Sequence, residues 1–327
     1  MDGIINVNKP SGMTSHDVVR DMRRLLGTKK IGHTGTLDPM ATGVLPICIG
    51  KATRVLDYMD LDLKKYRCTM LLGITTDTQD VWGNVLSEND TENVTEQAVI
   101  DAFTGFKGVI NQKPPMYSAI RVSGRRLYEY ARAGETVEVK TRKIYINSLV
   151  LDEIDLKSER KRVTFTVECS KGTYIRTICQ DVGQKLGCGG TMESLVRLAS
   201  GSFTVEEAVD LERLKTMTPE EAADLVLSVD FPLSHFGQVL LTPEMGKRFV
   251  DGWHISLNEC KFIKEPDTNG PVQDELGIRP EFKKAYNVYM SGIYGEEDQN
   301  RKIFLGVAIY SDKYKKLVCD KVFYRSE

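Results

Sequence analysis

The chain has 327 residues, 41% hydrophobic and 28% charged, ordinary values for a globular protein with room for about two domains. No apolar run approaches the ~18 residues of a membrane span, and the start, MDGIINVNKP, lacks the basic and apolar regions of a signal peptide, so a cytoplasmic protein is expected. Lys and Arg number 44 against 46 Asp and Glu, a net charge of −2; as an average this weighs against a nucleic-acid binder.

Residues 3–7 read as an apolar strand, ended by Lys9-Pro10-Ser11-Gly12. Ser15 is placed as the N-cap of a helix with Val18, Val19, Met22, Leu25 and Leu26 at helical spacing, stopped by Gly27. Residues 31–43 are too rich in turn formers for a regular element, and 45–49 are strand-like. A strand is predicted at 65–72, a polar turn at 75–82, and a helix at 95–103 capped by Thr95. Residues 111–143 form a long, basic, mostly irregular stretch with a short helix at 127–133. Strands at 144–151 and 162–169 precede a helix at 173–186, stopped at Gly187, and a short acidic helix at 219–227. Phe231-Pro232-Leu233-Ser234 reads as a linker. Beyond about residue 239 come turns at Gly252-Trp253 and Asn269-Gly270-Pro271 and strands at 303–310 and 316–323, a small β-rich second domain. No regular βαβ repeat precedes it, so the first domain is expected to be α+β.

Charge is segregated along this map. Residues 111–145 hold eight basic and three acidic residues, and residues 301–327 hold seven and three. Residues 205–230 hold eight acids and two bases and are expected to face away from any nucleic acid. A basic loop interleaved with Tyr117, Tyr128 and Tyr130 suits RNA, although a solvated basic loop fits it equally. The seven cysteines include no C-x-x-C pair, so reduced, mostly buried thiols are expected.

The densest chemical signal is residues 32–43, GHTGTLDPMATG. Asp38 precedes Pro39 and is held extended in a turn. A carboxylate so fixed suits a nucleophile or general base; an aspartate bonding its own turn is the structural alternative. The phosphate-loop spacing is absent, and no histidine pair has metal-ligand spacing, so no metal is expected. The second signal is residues 169–177, CSKGTYIRT, a strand end, a glycine turn and a helix start. Arg176 in that first turn is able to pair with Asp38 and hold it ionised, or to be a surface arginine.

At these residues the chain resembles the bacterial tRNA pseudouridine-55 synthases, the stand-alone enzymes of the pseudouridine synthase B family. The matching blocks are residues 3–12, 33–50, 65–72, 76–83, 115–134, 169–187 and 195–199, in family order. The resemblance implies an α+β catalytic domain at 1–235, a mixed, largely antiparallel sheet flanked by helices. It also implies a thumb-like RNA-gripping insertion near 111–143. Residues 236–327 resemble the family's PUA-type RNA-binding domain more loosely, and 265–274 do not align. The implied reaction isomerises a T-loop uridine of tRNA without a cofactor: the N1–C1′ bond breaks, uracil turns, and C5 bonds to C1′. Asp38 matches the catalytic aspartate, which attacks C1′, attacks the base, or removes a proton to give a glycal. Arg176 matches its partner, and Tyr66 the tyrosine that stacks on the base and serves proton transfer. His33, Tyr174 and Leu195 match pocket residues, and Lys9 and Asp80 polar residues near the site. The implied partner is the tRNA T-arm, bound by a monomer without an obligatory protein partner. The RNA-guided H/ACA relative shares the Asp loop, but residues 117–134 resemble the stand-alone form. A noncatalytic tRNA-binding or folding protein, and a hydrolase using Asp38 with Asp80, are the other readings.

Overall fold

The computed structural model describes residues 1–267, 270–291 and 302–324. The first strand, β1 (Gly3–Lys9), leads into α1 (Ser15–Leu25). The cap of α1 is Thr14, not Ser15: its hydroxyl accepts from Asp17 N at 3.1 Å, and Asp17 Oδ2 accepts from Thr14 N at 3.0 Å. That reciprocal pair satisfies two exposed helix-end donors, which leaves Ser15 to point inward. The stretch 31–43 is less irregular than its glycines suggest, because β2 (Ile31–His33) pairs antiparallel with β3 (Thr42–Ile49). After a 3₁₀ segment (Gly50–Leu61) come β4 (Lys64–Leu72), the hairpin β5 (Ile74–Thr76) and β6 (Val85–Glu88), and α2 (Glu96–Phe103), capped by Thr95 as predicted.

The strands β7 (Gly108–Gln112) and β10 (Arg142–Asp155) flank the basic insertion. Within it lie a two-residue hairpin, β8 (Arg121–Val122) and β9 (Arg125–Arg126), and α3 (Leu127–Arg132). The next elements are β11 (Arg162–Cys169), α4 (Ile175–Leu186), closed by left-handed Gly187, and β12 (Gly190–Ser200). The pattern at 190–200 shows no strand because Glu193 and Arg197 interrupt its apolar residues. The short elements β13 (Phe203–Thr204), β14 (Val209–Asp210), α5 (Leu211–Lys215) and α6 (Pro219–Ala223) complete the first unit. The acidic helix is thus shorter than expected.

The main sheet runs β14-β1-β3-β12-β4-β11-β10-β7, with β13 on β12 and β2 on β3. Two pairs are parallel, β1 with β14 and β12 with β3; the others are antiparallel. Helices α1, α2 and α4 supply Val18, Met22, Val99, Phe103, Ile178 and Val182 to its core. The basic insertion hangs from the β7–β10 edge and the acidic stretch follows the β14 edge, so opposite charges occupy opposite edges of one sheet.

The second unit contains β15 (Gly237–Leu241), α7 (Pro243–Val250), β16 (Ile255–Ser256), β17 (Lys261–Lys264) and α8 (Pro271–Leu276). It ends with β18 (Ala285–Ser291), β19 (Lys302–Ser311) and β20 (Lys316–Val322). Its sheet order is β16-β20-β19-β18-β15-β17. Of the predicted Asn269-Gly270-Pro271 turn, Asn269 lies outside the described residues, as do Arg301, Arg325 and Glu327 of the basic tail. Residues 231–234 are not an open linker. Pro232 and Leu233 are buried, and Leu233 and Phe236 share one core with Tyr58 of the first unit and Phe282 and Val307 of the second. Tyr58 meets Phe236 edge-on at 5.5 Å and Phe282 at 5.3 Å, and burying each such ring contributes ~1.5–3 kcal/mol. The two sheets are therefore joined through packed core. Five of the seven cysteines, at positions 48, 68, 169, 179 and 188, are buried, and all seven are free thiols.

Candidate active site

The Asp loop is held by the turn between β1 and α1. The buried Ser15 hydroxyl accepts from Leu37 N at 2.9 Å, and the Pro39 carbonyl accepts from Gly12 N at 2.9 Å and from Lys9 Nζ at 3.2 Å. The Met40 carbonyl accepts from Ser11 Oγ at 3.2 Å, and Ala41 N donates back to the Asp38 carbonyl at 3.0 Å. Residues 9–15 thus work as a bracket for residues 37–41. Gly43 completes it at a φ of +99°, where a Cβ would lie 2.3 Å from the Arg197 carbonyl oxygen; only glycine fits there.

Helix α4 presents Arg176 to this loop. The guanidinium clamps Asp38 through both oxygens, Nε to Oδ2 at 3.0 Å and Nη2 to Oδ1 at 3.1 Å. Its other donors reach the Thr78 carbonyl at 2.9 Å, Asp80 Oδ2 at 3.4 Å and the Tyr117 carbonyl at 3.0 Å. All five N–H groups are engaged, in a side chain only 6% exposed. Asp80 is fixed in turn, accepting from Thr78 Oγ1 at 2.8 Å and Trp82 N at 3.1 Å. Asp38 keeps 34% of its side chain open. Burial in the cleft pushes its carboxyl up; Arg176 opposes that strongly, Asp80 adds to it, and Lys9 opposes it.

Above this pair is a cleft of about 520 Å³ lined by His33, Asp38, Lys64, Tyr66, Tyr117, Tyr174, Arg176 and Leu195, among others, within the usual ~300–1,000 Å³ of ligand pockets. Tyr66 on β4 is buried and lies opposite Arg197 of β12 in register, with its hydroxyl against that guanidinium. Burial raises the phenol's pKa and Arg197 restrains the rise. Leu195, two residues before Arg197, lines the same cleft. His33 is driven down to about 4 by burial and by the charges of Arg197, His16 and Lys64, so its ring is neutral. His33 Nδ1 and Thr34 Oγ1 are buried without hydrogen-bond partners. Gln112 clamps the Tyr174 backbone from both sides, at 2.8 and 3.0 Å.

Six of the eight residues singled out from the sequence line the cleft: His33, Asp38, Tyr66, Tyr174, Arg176 and Leu195. Lys9 and Asp80 do not. Lys9 is fully buried, its ammonium donating to the carbonyls of Pro10 at 2.8 Å, Met13 at 2.6 Å and Pro39 at 3.2 Å. Both support the loop and Arg176 from behind. Hydropathy periodicity does not reveal Ser15 as a bracket, nor Lys64 and Arg197 as inward-facing residues. Arg197 is fully buried, with Nε on the Val44 carbonyl at 2.6 Å and Nη2 on the Gly35 carbonyl at 3.0 Å. Its signal was available: a charge at an inward position of an apolar alternation, Leu195-x-Arg197. No group of His, Cys, Asp and Glu able to hold a metal occurs among the described residues, and no described helix is long and apolar enough to cross a membrane.

The model of the TruB family pseudouridylate synthase N-terminal domain matches residues 23–175, and that of the tRNA pseudouridylate synthase B C-terminal domain matches residues 176–234. The chain is 42% identical over 318 residues to tRNA pseudouridine synthase B of Clostridium kluyveri, spanning 97% of this chain and 99% of that one. It is 43% identical over 303 residues to the Alkaliphilus oremlandii protein of the same name, covering 92% and 96%. Among solved structures it is similar to a chain of an H/ACA RNP bound to a substrate RNA containing 2′-deoxyuridine, with a TM-score of 0.68, 21% identity, and 99% and 85% coverage. A chain of a Cbf5-Nop10-Gar1 complex gives a TM-score of 0.67 at 24% identity, with 98% and 85% coverage; these likenesses establish the pseudouridine synthase fold. With relatives above 40% identity over nearly its whole length, the chain belongs to the TruB family of pseudouridylate synthases.

Proposed function

We propose that the chain is a stand-alone tRNA pseudouridine synthase that isomerises the T-loop uridine at position 55, with Asp38 as its catalytic carboxylate. The observation that carries the reading is the bidentate Asp38–Arg176 pair at the base of a nucleoside-sized cleft walled by Tyr66 and Leu195. The reacting bond lies inside the folded T-loop, so the nucleotide must be extruded, at a cost of a few kcal/mol. Stacking on Tyr66, worth ~1–3 kcal/mol, offsets it. Leu195, diagonal to Tyr66 on the neighbouring strand, extends the same apolar wall, and His33 and Tyr174 line the cleft beside them.

Three routes open N1–C1′: attack of the carboxylate on C1′, attack on the base, or removal of a ribose proton to leave a glycal. All need Asp38 ionised and aimed, and Arg176 supports both. Uracil then turns, C5 bonds to C1′, the C5 proton leaves and N1 gains one, so no atom is gained or lost and no cofactor is needed. The insertion at 111–143 is assigned to gripping the T-arm. Arg125 stacks over Tyr130 at 4.3 Å, and Arg126 and Arg132 flank Tyr128 at 5.7 and 5.4 Å. Residues 1–235 are the catalytic domain in this reading, and 236–327 a PUA-like RNA-binding domain. The enzyme works in the cytoplasm as a monomer without an obligatory protein partner. The test is a bare T-arm stem-loop with purified protein alone: conversion of the target uridine supports the reading, and a requirement for guide RNA or partner proteins sinks it.

A further inference from the structure

Lys64 opens β4 and is buried, 7% exposed, yet it lines the active-site cleft. The cleft's other cations have acceptors. Arg176 is engaged by Asp38, Asp80 and two carbonyls, and Lys171 by Asp60 at 2.5 Å. Behind the cleft wall, Arg197 is engaged by two carbonyls. Among the described residues the Lys64 ammonium makes neither a hydrogen bond nor an ion pair. It packs on the backbone of Gly35, where a Cβ would lie 2.9 Å from Nζ, so the glycine leaves room for it at the cleft wall.

The charged groups around it are two cations, Arg197 of β12 and Lys171 of the loop before α4, against one acid, Asp62 just before β4. His33 of β2 and the thiol of Cys169 on β11 are its neutral neighbours. Burial and Arg197 together draw its pKa down to about 8. A buried ammonium left without an acceptor is costly, and the anion that RNA carries is phosphate. Lys64 and Tyr66 are two residues apart on one strand and share a face, ~6.6 Å from each other. A nucleotide whose base lies on Tyr66 places a backbone phosphate at a comparable remove.

Resting on the function proposed above, we infer that Lys64 is a substrate-binding residue that takes a phosphate oxygen adjoining the extruded uridine. The pairing is charge-assisted and desolvated, so it acts on binding of the flipped nucleotide more than on bond rearrangement.

The test measures Kd for labelled T-arm stem-loops with the wild type and Lys64→Met, from pH 6.5 to 9.5. Two further stem-loops carry one neutral methylphosphonate linkage, 5′ or 3′ of the target, each against its matched deoxy control. Lys64→Met is expected to weaken binding of the native RNA ~10–100-fold while kcat falls less than threefold. Wild-type affinity is lost as pH rises through about 8, where the ammonium deprotonates, and the variant lacks this step. One methylphosphonate costs the wild type a similar factor and the variant nothing; which linkage it is names the phosphate. Unchanged Kd in Lys64→Met, or both neutral linkages penalising the variant as much as the wild type, overturns the inference. If the variant does not fold, the wild type still decides: the step near pH 8 must vanish on one neutral-linkage RNA, and its persistence on both is contrary. Failure of the wild type to convert native stem-loop refutes the underlying function instead.

Discussion

Replacing Arg176 with lysine keeps a cation in the first turn of α4 but removes the planar fork. Five donors at 2.9–3.4 Å now serve Asp38 twice, Asp80 once and two carbonyls. An ammonium has three donors at one point, so at least two acceptors lose their partner. Charge-assisted bonds contribute ~1.5–3 kcal/mol each. The low end applies at Asp38, a third of which is open to solvent. Losing two such bonds gives ~3 kcal/mol, or about a hundredfold in kcat/KM. A second readout separates aim from folding. Burial already pushes the Asp38 carboxyl up, with Arg176 opposing; weakening that opposition raises it further. Turnover needs the ionised form, so the acid limb of kcat/KM moves to higher pH. The assay is pseudouridine formation on a T-arm stem-loop from pH 5 to 9. A loss of less than threefold, or an acid limb that does not move, refutes the role given to the clamp.

Ser15→Ala removes a buried hydroxyl that bonds Leu37 and is expected to cost ~1–3 kcal/mol; thermal melting should show the loss, with kcat falling more than KM rises because the Asp loop loosens. Gly43→Ala places a Cβ 2.3 Å from a backbone oxygen at positive φ, so soluble yield and Tm should collapse; a Tm within 2 °C of the wild type would contradict the geometry, that window being about 1 kcal/mol for a domain this large. Neutralising Arg125, Arg126 and Arg132 together should flatten the dependence of log Kd on log salt by about one to two units, while Asp38 chemistry at saturating RNA stays within a few-fold. An unchanged salt slope would remove the insertion from the RNA interface.

Much of this was legible in the primary structure, and the failures share a cause. Regular periodicity placed β4, β11 and α4 within one or two residues. It failed at β12, where Glu193 and Arg197 break the apolar pattern, because a charge satisfied by backbone carbonyls deep in the sheet looks like a surface residue to a hydropathy rule. Thr14 displaced Ser15 as the cap because Asp17, three residues on, completes the capping box, while Ser15 is needed inside. Asp38 and Arg176 were visible as residue types in suggestive turns, but their pairing across 138 residues depends on register between the Asp loop and α4. Lys64 was invisible because Lys64-Lys65 reads as a solvated pair, and only the pleat sends one inward. The near-neutral net charge misled until its sign was resolved along the chain: the bases hang from one sheet edge and the acids follow the other.

The central claim is that the Asp38 carboxylate performs the isomerisation. It is tested most directly by mapping pseudouridine in bulk tRNA lacking this modification after treatment with the wild type or with Asp38→Asn, with tRNA binding measured in parallel. The account predicts one modified T-loop position with the wild type, none with Asp38→Asn, and binding retained within a few-fold. Measurable turnover by Asp38→Asn would contradict it.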